Sequence, residues 1–154
     1  MRTGYHVGVR HLIVFLTAAL TLAFASSCSD DNEQQEVGPR SFEKNVMPIL
    51  SVNCSLQACH GSKESNLGIL LTADKEQVFA ELQKSSPTFG GGALKFVIPG
   101  NAQGSFLMRK MDGNHSSLSG CGNGCGKEMP PEALLSAGKR ETIRRWINEG
   151  AKNN

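Results

Sequence analysis

The segment "CSLQACHGS", from Cys54 to Ser62, places two cysteines five positions apart and a histidine directly after the second cysteine. With five cysteines and four histidines in 154 residues, composition alone gives about 0.004 expected occurrences of this arrangement. Chance is therefore a poor explanation for the pattern. The order of two sulfurs and one imidazole points to a shared chemical role for Cys54, Cys59 and His60.

A cysteine pair followed directly by histidine is the attachment pattern of c-type haem. In that chemistry the thiols of Cys54 and Cys59 add to the two vinyl groups of the porphyrin, and the imidazole of His60 reaches the iron from one face. The usual spacing between the cysteines is two residues, whereas "SLQA" makes it four here. Two extra residues can bulge outward while the sulfurs keep their separation. The segment therefore predicts one covalently attached haem c, with His60 as an axial iron ligand.

The start of the chain has the features of an export signal rather than of a folded domain. Two arginines precede an uncharged apolar run over residues 12–25, which is too short to span a bilayer comfortably and is followed by small residues. We therefore expect residues 1–27 to be a signal peptide. "LAFASSC" resembles a bacterial lipobox, which assigns a lipid anchor to Cys28. A plain secretory signal cleaved near Ser27 is the alternative.

A polar stretch follows the expected anchor. "SDDNEQQEVGPR" has almost no apolar residues, which predicts a flexible tether over residues 28–40. The folded domain is then expected over residues 41–151. The signal and the anchor together predict an exported protein that is attached to a Gram-negative bacterial membrane and faces the periplasm or the cell surface.

The charge balance limits the classes of partner. Removal of residues 1–27 takes away Arg2 and Arg10 and no acid, so that 16 basic and 14 acidic residues become 14 and 14. A formally neutral chain argues against nucleic acid as a partner, since such a partner requires a basic surface. The sequence also lacks a recognisable serine, histidine and acid set and a nucleotide-binding glycine motif, so we do not expect an enzyme.

Apolar residues recur at helical spacing, and no run alternates convincingly as a strand, so the domain is predicted to be all-α. Ser41 is expected to cap a first helix that Pro48 must kink or end. Thr72 is expected to cap a second helix, and "SFLMRKM" over residues 105–111 predicts a third. Ser136 precedes a last helix. The residues expected on one face of that helix are Ile143, Trp146, Ile147 and Gly150.

In this order, the segments resemble a class I type cytochrome c of the kind found in exported bacterial proteins. The resemblance extends over residues 42–151. It rests on "FEKNVMPIL", "CSLQACHG", "LGILL", "VIPGNAQGSFLMRKM", "EMPP" and "LSAGKRETIRRWINEGA". It implies a small helical domain around one haem, in a slot closed where the first and last helices cross. It also implies electron transfer with redox partner proteins, whose identity the sequence does not indicate.

Within that layout, Met129 in "EMPP" matches the family's second axial ligand. A thioether paired with histidine raises the reduction potential of haem iron, which suits an electron carrier. The alternatives are Met108 and Met111, which have the spacing of core residues on a helix, and His115 in a polar loop. The slot beside the iron is expected to be flat and apolar, with walls from the first helix, the last helix and "LGILL".

A second cysteine pair, Cys121 and Cys125, lies just before that methionine and predicts a local disulfide that stiffens the ligand loop. Two hypotheses of other classes remain open. In the first, Cys54, Cys59, Cys121 and Cys125 form a four-sulfur zinc or iron–sulfur site, which leaves His60 without a role. In the second, the protein is a haem-free interaction lipoprotein stapled by disulfides, which would be colourless when purified.

Overall fold

The computed structural model of the chain describes residues 38–64, 68–121 and 124–154, which belong to one compact unit. The predicted signal peptide, Cys28 and nearly all of the predicted tether lie outside these residues. Within the described ranges no strand forms, and pairing is limited to one antiparallel bridge between Ser85 and Lys95. The α-helices are α1 (Met47–Asn53), α2 (Lys75–Leu82), α3 (Phe106–Met111) and α4 (Ala137–Asn148). Short turns of other types are Phe42–Val46 (π), Gly90–Gly92 (3₁₀) and His115–Ser117 (3₁₀).

The first helical segment consists of the π-helical turn and α1. Ser41 caps it, because its hydroxyl oxygen accepts a hydrogen bond from the backbone N–H of Lys44 at 3.2 Å. Pro48 lies in the first turn of α1, where a missing N–H removes no helical hydrogen bond. The segment therefore changes from π to α geometry at Met47 and continues to Asn53 instead of ending at the proline.

The second helix starts later than the sequence predicts. Asp74, not Thr72, is its N-cap residue, and the Asp74 carboxylate accepts from the N–H of Gln77 at 3.0 Å. The hydroxyl oxygen of Thr72 accepts from the N–H of Asp74 at 3.1 Å. Thr72 therefore shapes the approach to the helix, and the carboxylate takes the capping role.

The last helix begins at the predicted place but is shorter than expected. Ser136 caps α4 by accepting from the N–H of Lys139 at 3.4 Å. Ile143 and Trp146 are fully buried, as the helical spacing predicts. Gly150, expected on the same face, lies beyond the helix with a φ of +104°. Glycine adopts this left-handed conformation readily, and such a residue commonly ends a helix.

The hydrophobic core joins the two ends of the described chain. Phe42 and Val46 of the π-helical turn are fully buried, as are Val78 and Leu82 of α2 and Trp146 of α4. Their packing occupies the apolar faces of the first segment and of α4. The shorter α3 and the loops on either side of it add Phe106 and Met111 to the same core and also border the candidate site.

Candidate haem site

The end of α1 sets the position of the first cysteine, since Cys54 is the C-cap residue of that helix. The chain then turns back on itself. The N–H groups of Cys59 and Gly61 both donate to the carbonyl of Leu56, at 2.8 and 2.9 Å, and the N–H of His60 donates to the carbonyl of Cys54 at 3.1 Å. The four residues between the cysteines therefore form a closed turn, which returns His60 to the backbone of Cys54.

Two further features fix this turn. A Cβ at Gly61 would lie 2.3 Å from the carbonyl oxygen of Ser55, so only glycine fits there without a backbone shift. The carbonyl of His60 accepts from the N–H of Leu71 at 2.7 Å, which ties the end of "LGILL" to the histidine. The motif and the segment that follows it therefore form one hydrogen-bonded structure.

An apolar cleft adjoins the motif, and its cavity volume is about 120 Å³. Cys54 and His60 line this cleft, and so does Met129 from the opposite end of the domain sequence. The fold thus brings an imidazole, a thiol and a thioether to one cavity. The aromatic and aliphatic lining consists mainly of Ile69, Leu71, Phe89, Phe96, Phe106, Leu107, Met111 and Leu135.

The segments that line the cleft differ from those that the sequence predicts. Ile69 and Leu71 of "LGILL" do line the cleft, but Cys54 is its sole contact with the end of the first helical segment, and α4 contributes no lining residue. The reason is that the first segment and α4 use their apolar faces to build the core. Aromatic residues of α3 and of the preceding loop take their place. Cys59 is half-buried and does not line the cleft.

The structure separates the four candidates for a second axial ligand. Met129 is half-buried and lines the cleft, and Met111 also lines it, although Met111 is 2 % exposed and packed in the core. Met108 is completely buried outside the lining. The imidazole of His115 is likewise outside it, and its Nε2 is 2.8 Å from the carbonyl oxygen of Gly126. A thioether is therefore the donor that the cleft offers in addition to His60.

Cys121 and Cys125 are joined by a disulfide and are almost completely buried. Bonded sulfurs offer no thiolate to a metal, so the four-sulfur site considered from the sequence does not form in this arrangement. Among the described residues, no group of three or more His, Cys, Asp or Glu side chains is placed to hold a metal ion. Cys54 and Cys59 remain free thiols.

Lys110 is a site residue that the sequence analysis missed. Its ammonium group is buried in the lining of the cleft, where it donates to the carbonyl of Cys125 at 2.7 Å and to the carbonyl of Lys127. The rings of Phe106 and Phe89 lie 5.8 and 6.0 Å from the nitrogen. Burial lowers the pKa of Lys110, and the negative charge of Glu128 opposes that effect. The available signal was the position of Lys110 four residues after Phe106, on the same side of α3.

The charged lining of the cleft is entirely basic. Lys110 and Lys127 line it, and no Asp or Glu is found among its described lining residues. An apolar ligand that carries acidic groups fits this combination, because apolar walls bind its body and the ammonium groups compensate its charge. Haem has this chemistry, and His60 and Met129 are donors that haem iron takes. The chemistry of Cys54, His60 and Met129 therefore fits the predicted cofactor, whereas Cys59, the second predicted attachment residue, lies outside the lining.

The two free thiols differ in their surroundings. Burial, with a smaller effect of the neighbouring Cys59 charge, raises the pKa of the Cys54 thiol to about 11 from an ordinary value of 9.0. The thiolate of Cys54 is therefore scarce at neutral pH in the haem-free protein. This behaviour is typical of a thiol that lies against an apolar cavity.

Comparison of the chain with protein-family models, with curated proteins and with solved structures gives no significant match. No helix in the described ranges is long and apolar enough to cross a membrane. The predicted lipidation site, Cys28, lies outside those ranges. The functional argument therefore depends on the motif and on the cleft that lies beside it.

Proposed function

We propose that this chain is an electron-transfer protein that carries one covalently attached haem c and is held on a bacterial membrane by a lipid. The observation that carries the proposal is the convergence of Cys54, His60 and Met129 on one apolar cleft. Met129 is far from the motif in sequence, and the motif alone does not require a thioether in the same cavity. The fold class that the resemblance implies, a small cytochrome c-like helical domain, is part of the proposal.

Each residue of the site has an assigned task. Cys54 and Cys59 would hold the haem through thioether bonds, and His60 and Met129 would bind its iron. A haem held in this way would supply a reversible one-electron couple. The backbone hydrogen bonds of the motif hold His60 in place, and the disulfide between Cys121 and Cys125 shortens the loop that leads to Met129.

The walls of the cleft have a separate task. Phe89, Phe96 and Phe106 supply apolar surface that excludes water, and water exclusion is one of the factors that set a haem potential. Lys127 offers positive charge to the acidic side groups of the cofactor. The cleft thus favours one apolar, anionic ligand over a hydrated small molecule.

The same assignment argues against catalysis. When His60 and Met129 both bind the iron, no coordination position is open to a substrate, so the proposed role is electron exchange with redox partner proteins. The lipobox resemblance at Cys28 supports attachment to a Gram-negative membrane, with the domain exposed to the periplasm or the cell surface. The neutral charge of residues 28–154 supports protein partners over nucleic acid.

The test is covalent haem content. The full chain is produced in a Gram-negative host that matures c-type cytochromes, and denaturing gels are stained for haem peroxidase activity. We expect a stained band at the mass of the mature protein, since thioether bonds survive denaturation. Replacement of both Cys54 and Cys59 by serine should abolish the stain.

A matched control removes the same number of cysteines elsewhere. The double variant Cys121→Ser with Cys125→Ser loses the disulfide but keeps the motif, so its band should still stain. A mature wild-type band without stain would end the haem proposal and would favour the haem-free interaction lipoprotein. Loss of stain in both double variants would indicate a general maturation defect instead of a specific attachment site.

A further inference from the structure

The loop that carries Met129 is attached to α3 through Lys110. The ammonium of Lys110 donates to the carbonyls of Cys125 and Lys127, and the carbonyl of Lys110 accepts from the N–H of Met129 at 2.9 Å. Side chain and main chain of one residue therefore hold this loop at three points. The last of these points is the backbone of the proposed iron ligand itself.

Other contacts hold the earlier part of the same loop. The disulfide fixes Cys125 to Cys121, and the imidazole of His115 is hydrogen-bonded to the carbonyl of Gly126. These two contacts end at Gly126, three positions before Met129. Lys110 is hydrogen-bonded to Lys127 and to Met129. It therefore holds the part of the loop that sets the position of the thioether.

The chemistry of Lys110 suits this task. A buried ammonium is costly unless its N–H groups are paired, and here they are paired with loop carbonyls. Its charge strengthens those bonds relative to a neutral donor. Its nitrogen also lies over the rings of Phe89 and Phe106, within the range of a cation–π contact. An apolar side chain of similar length would leave the carbonyls of Cys125 and Lys127 without this donor.

We propose that Lys110 is a positioning residue that keeps the thioether of Met129 directed into the cleft. The inference rests on the proposed function, in which Met129 is the second axial ligand. Lys110 acts through the loop and not as a ligand. When its ammonium is removed, the loop becomes free to move Met129 away from the iron, and an added ligand competes more easily for the vacated position.

The experiment compares Lys110→Met with Lys95→Met in the haem-loaded protein. Lys95 is exposed and does not line the cleft, so its substitution removes the same charge without touching the loop. The oxidised proteins are titrated with imidazole, and the weak near-infrared band of sulfur-ligated haem is recorded. For Lys110→Met we expect imidazole to bind at least about tenfold more tightly, which corresponds to about 1.4 kcal/mol, with a weakened band. Lys95→Met should match the wild type.

Two further variants keep the result interpretable. Lys110→Arg retains a charged donor and should recover much of the wild-type imidazole affinity, which a role in packing alone would not predict. Lys110→Gln retains an uncharged hydrogen-bond donor and replaces Lys110→Met in the experiment if that variant does not accumulate. Its imidazole affinity should lie between those of the wild type and of Met129→Ala. Far-UV circular dichroism checks that the helices are retained.

The outcomes separate the two proposals. Wild-type imidazole affinity and an intact band in both Lys110→Met and Lys110→Gln would overturn the positioning role and leave the proposed function standing. A wild-type protein without haem, or one whose band survives Met129→Ala, would overturn the ligand assignment and with it the role of Lys110.

Discussion

The ring of Phe42 stacks on the indole of Trp146, with centroids 5.1 Å apart and ring planes inclined by 28°. Both side chains are completely buried. The indole N–H donates to the carbonyl of Lys152 at 2.9 Å, so the single polar atom of the ring is satisfied. This pair therefore joins the first helical segment to α4 within the core.

Loss of that contact should destabilise the domain strongly. For Trp146→Ala we expect the free energy of unfolding to fall by about 3–5 kcal/mol, because a large aromatic side chain is removed from a filled core. Urea unfolding followed by far-UV circular dichroism measures the change. Val52→Ala is the control, since Val52 is 70 % exposed, and its effect should stay within about 0.5 kcal/mol. A loss below about 1 kcal/mol for Trp146→Ala would contradict the core position of the indole.

Asn154 should stabilise the start of the first helical segment. Its side-chain oxygen accepts from the N–H of Phe42 at 3.0 Å, a group that has no partner within the helical turn. Asn154→Ala removes this acceptor and should cost about 0.5–2 kcal/mol in urea unfolding, as loss of a helix cap does. Asn154→Asp keeps an acceptor near the helix start and should remain close to wild type. Equal losses in both variants would argue against the capping role.

Cys54 should alkylate slowly in the haem-free protein. Because burial raises its pKa to about 11, the thiolate fraction continues to rise well above pH 9 in the folded state. We expect the iodoacetamide reaction rate at Cys54 to increase about tenfold per pH unit between pH 8 and 10, as measured by peptide mass spectrometry. In concentrated urea the burial is lost, so the rate should level off near the ordinary pKa of a thiol. A plateau near pH 9 in the folded protein would contradict the burial of this group.

The sequence predicts local structure well where the cause is local. Ser41 and Ser136 cap helices because a hydroxyl at that position pairs with a free N–H, and this depends on few neighbours. Thr72 failed as a cap because Asp74, two residues later, offers a carboxylate to the same end of α2. Pro48 did not end the first segment because it lies in the first turn of α1, directly after a π-helical turn that apolar spacing does not signal.

In the candidate site, too, the residues that are close in sequence were predictable, and most of those brought together by tertiary packing were not. The motif around Cys54 and His60 is contiguous, so its pattern identifies it without a fold. The aromatic wall and Lys110 are brought to the cleft by tertiary packing. The spacing places Lys110 on the same side of α3 as Phe106, but it does not reveal that this side faces a cavity. Met129 was assigned through a family resemblance, and the fold places it in the lining of the cleft beside His60.

The proposed lipid anchor can be tested independently of the proposed haem. We expect Cys28→Ser to move the protein from the membrane fraction to the soluble periplasmic fraction or the medium, because the proposed acylation site is lost. Immunoblots of fractionated cells measure this distribution. Ser27→Ala keeps a small residue before the cysteine and should leave the protein in the membrane fraction. If Cys28→Ser fractionates as the wild type does, the anchor is assigned wrongly.

For the proposed haem, the cleft offers two methionines as the second iron ligand, Met129 and Met111. Met129→Ala should erase the near-infrared band of sulfur-ligated haem and lower the reduction potential, since the iron loses the thioether that favours its ferrous state. Met111→Leu removes a thioether of similar size from the same cleft and should retain the band. Visible and near-infrared spectra of the oxidised proteins, with redox titrations, measure both effects. Loss of the band in Met111→Leu, with the band kept in Met129→Ala, would identify Met111 as the ligand. A wild-type protein that lacks the band would contradict thioether ligation and would make His115 the next candidate.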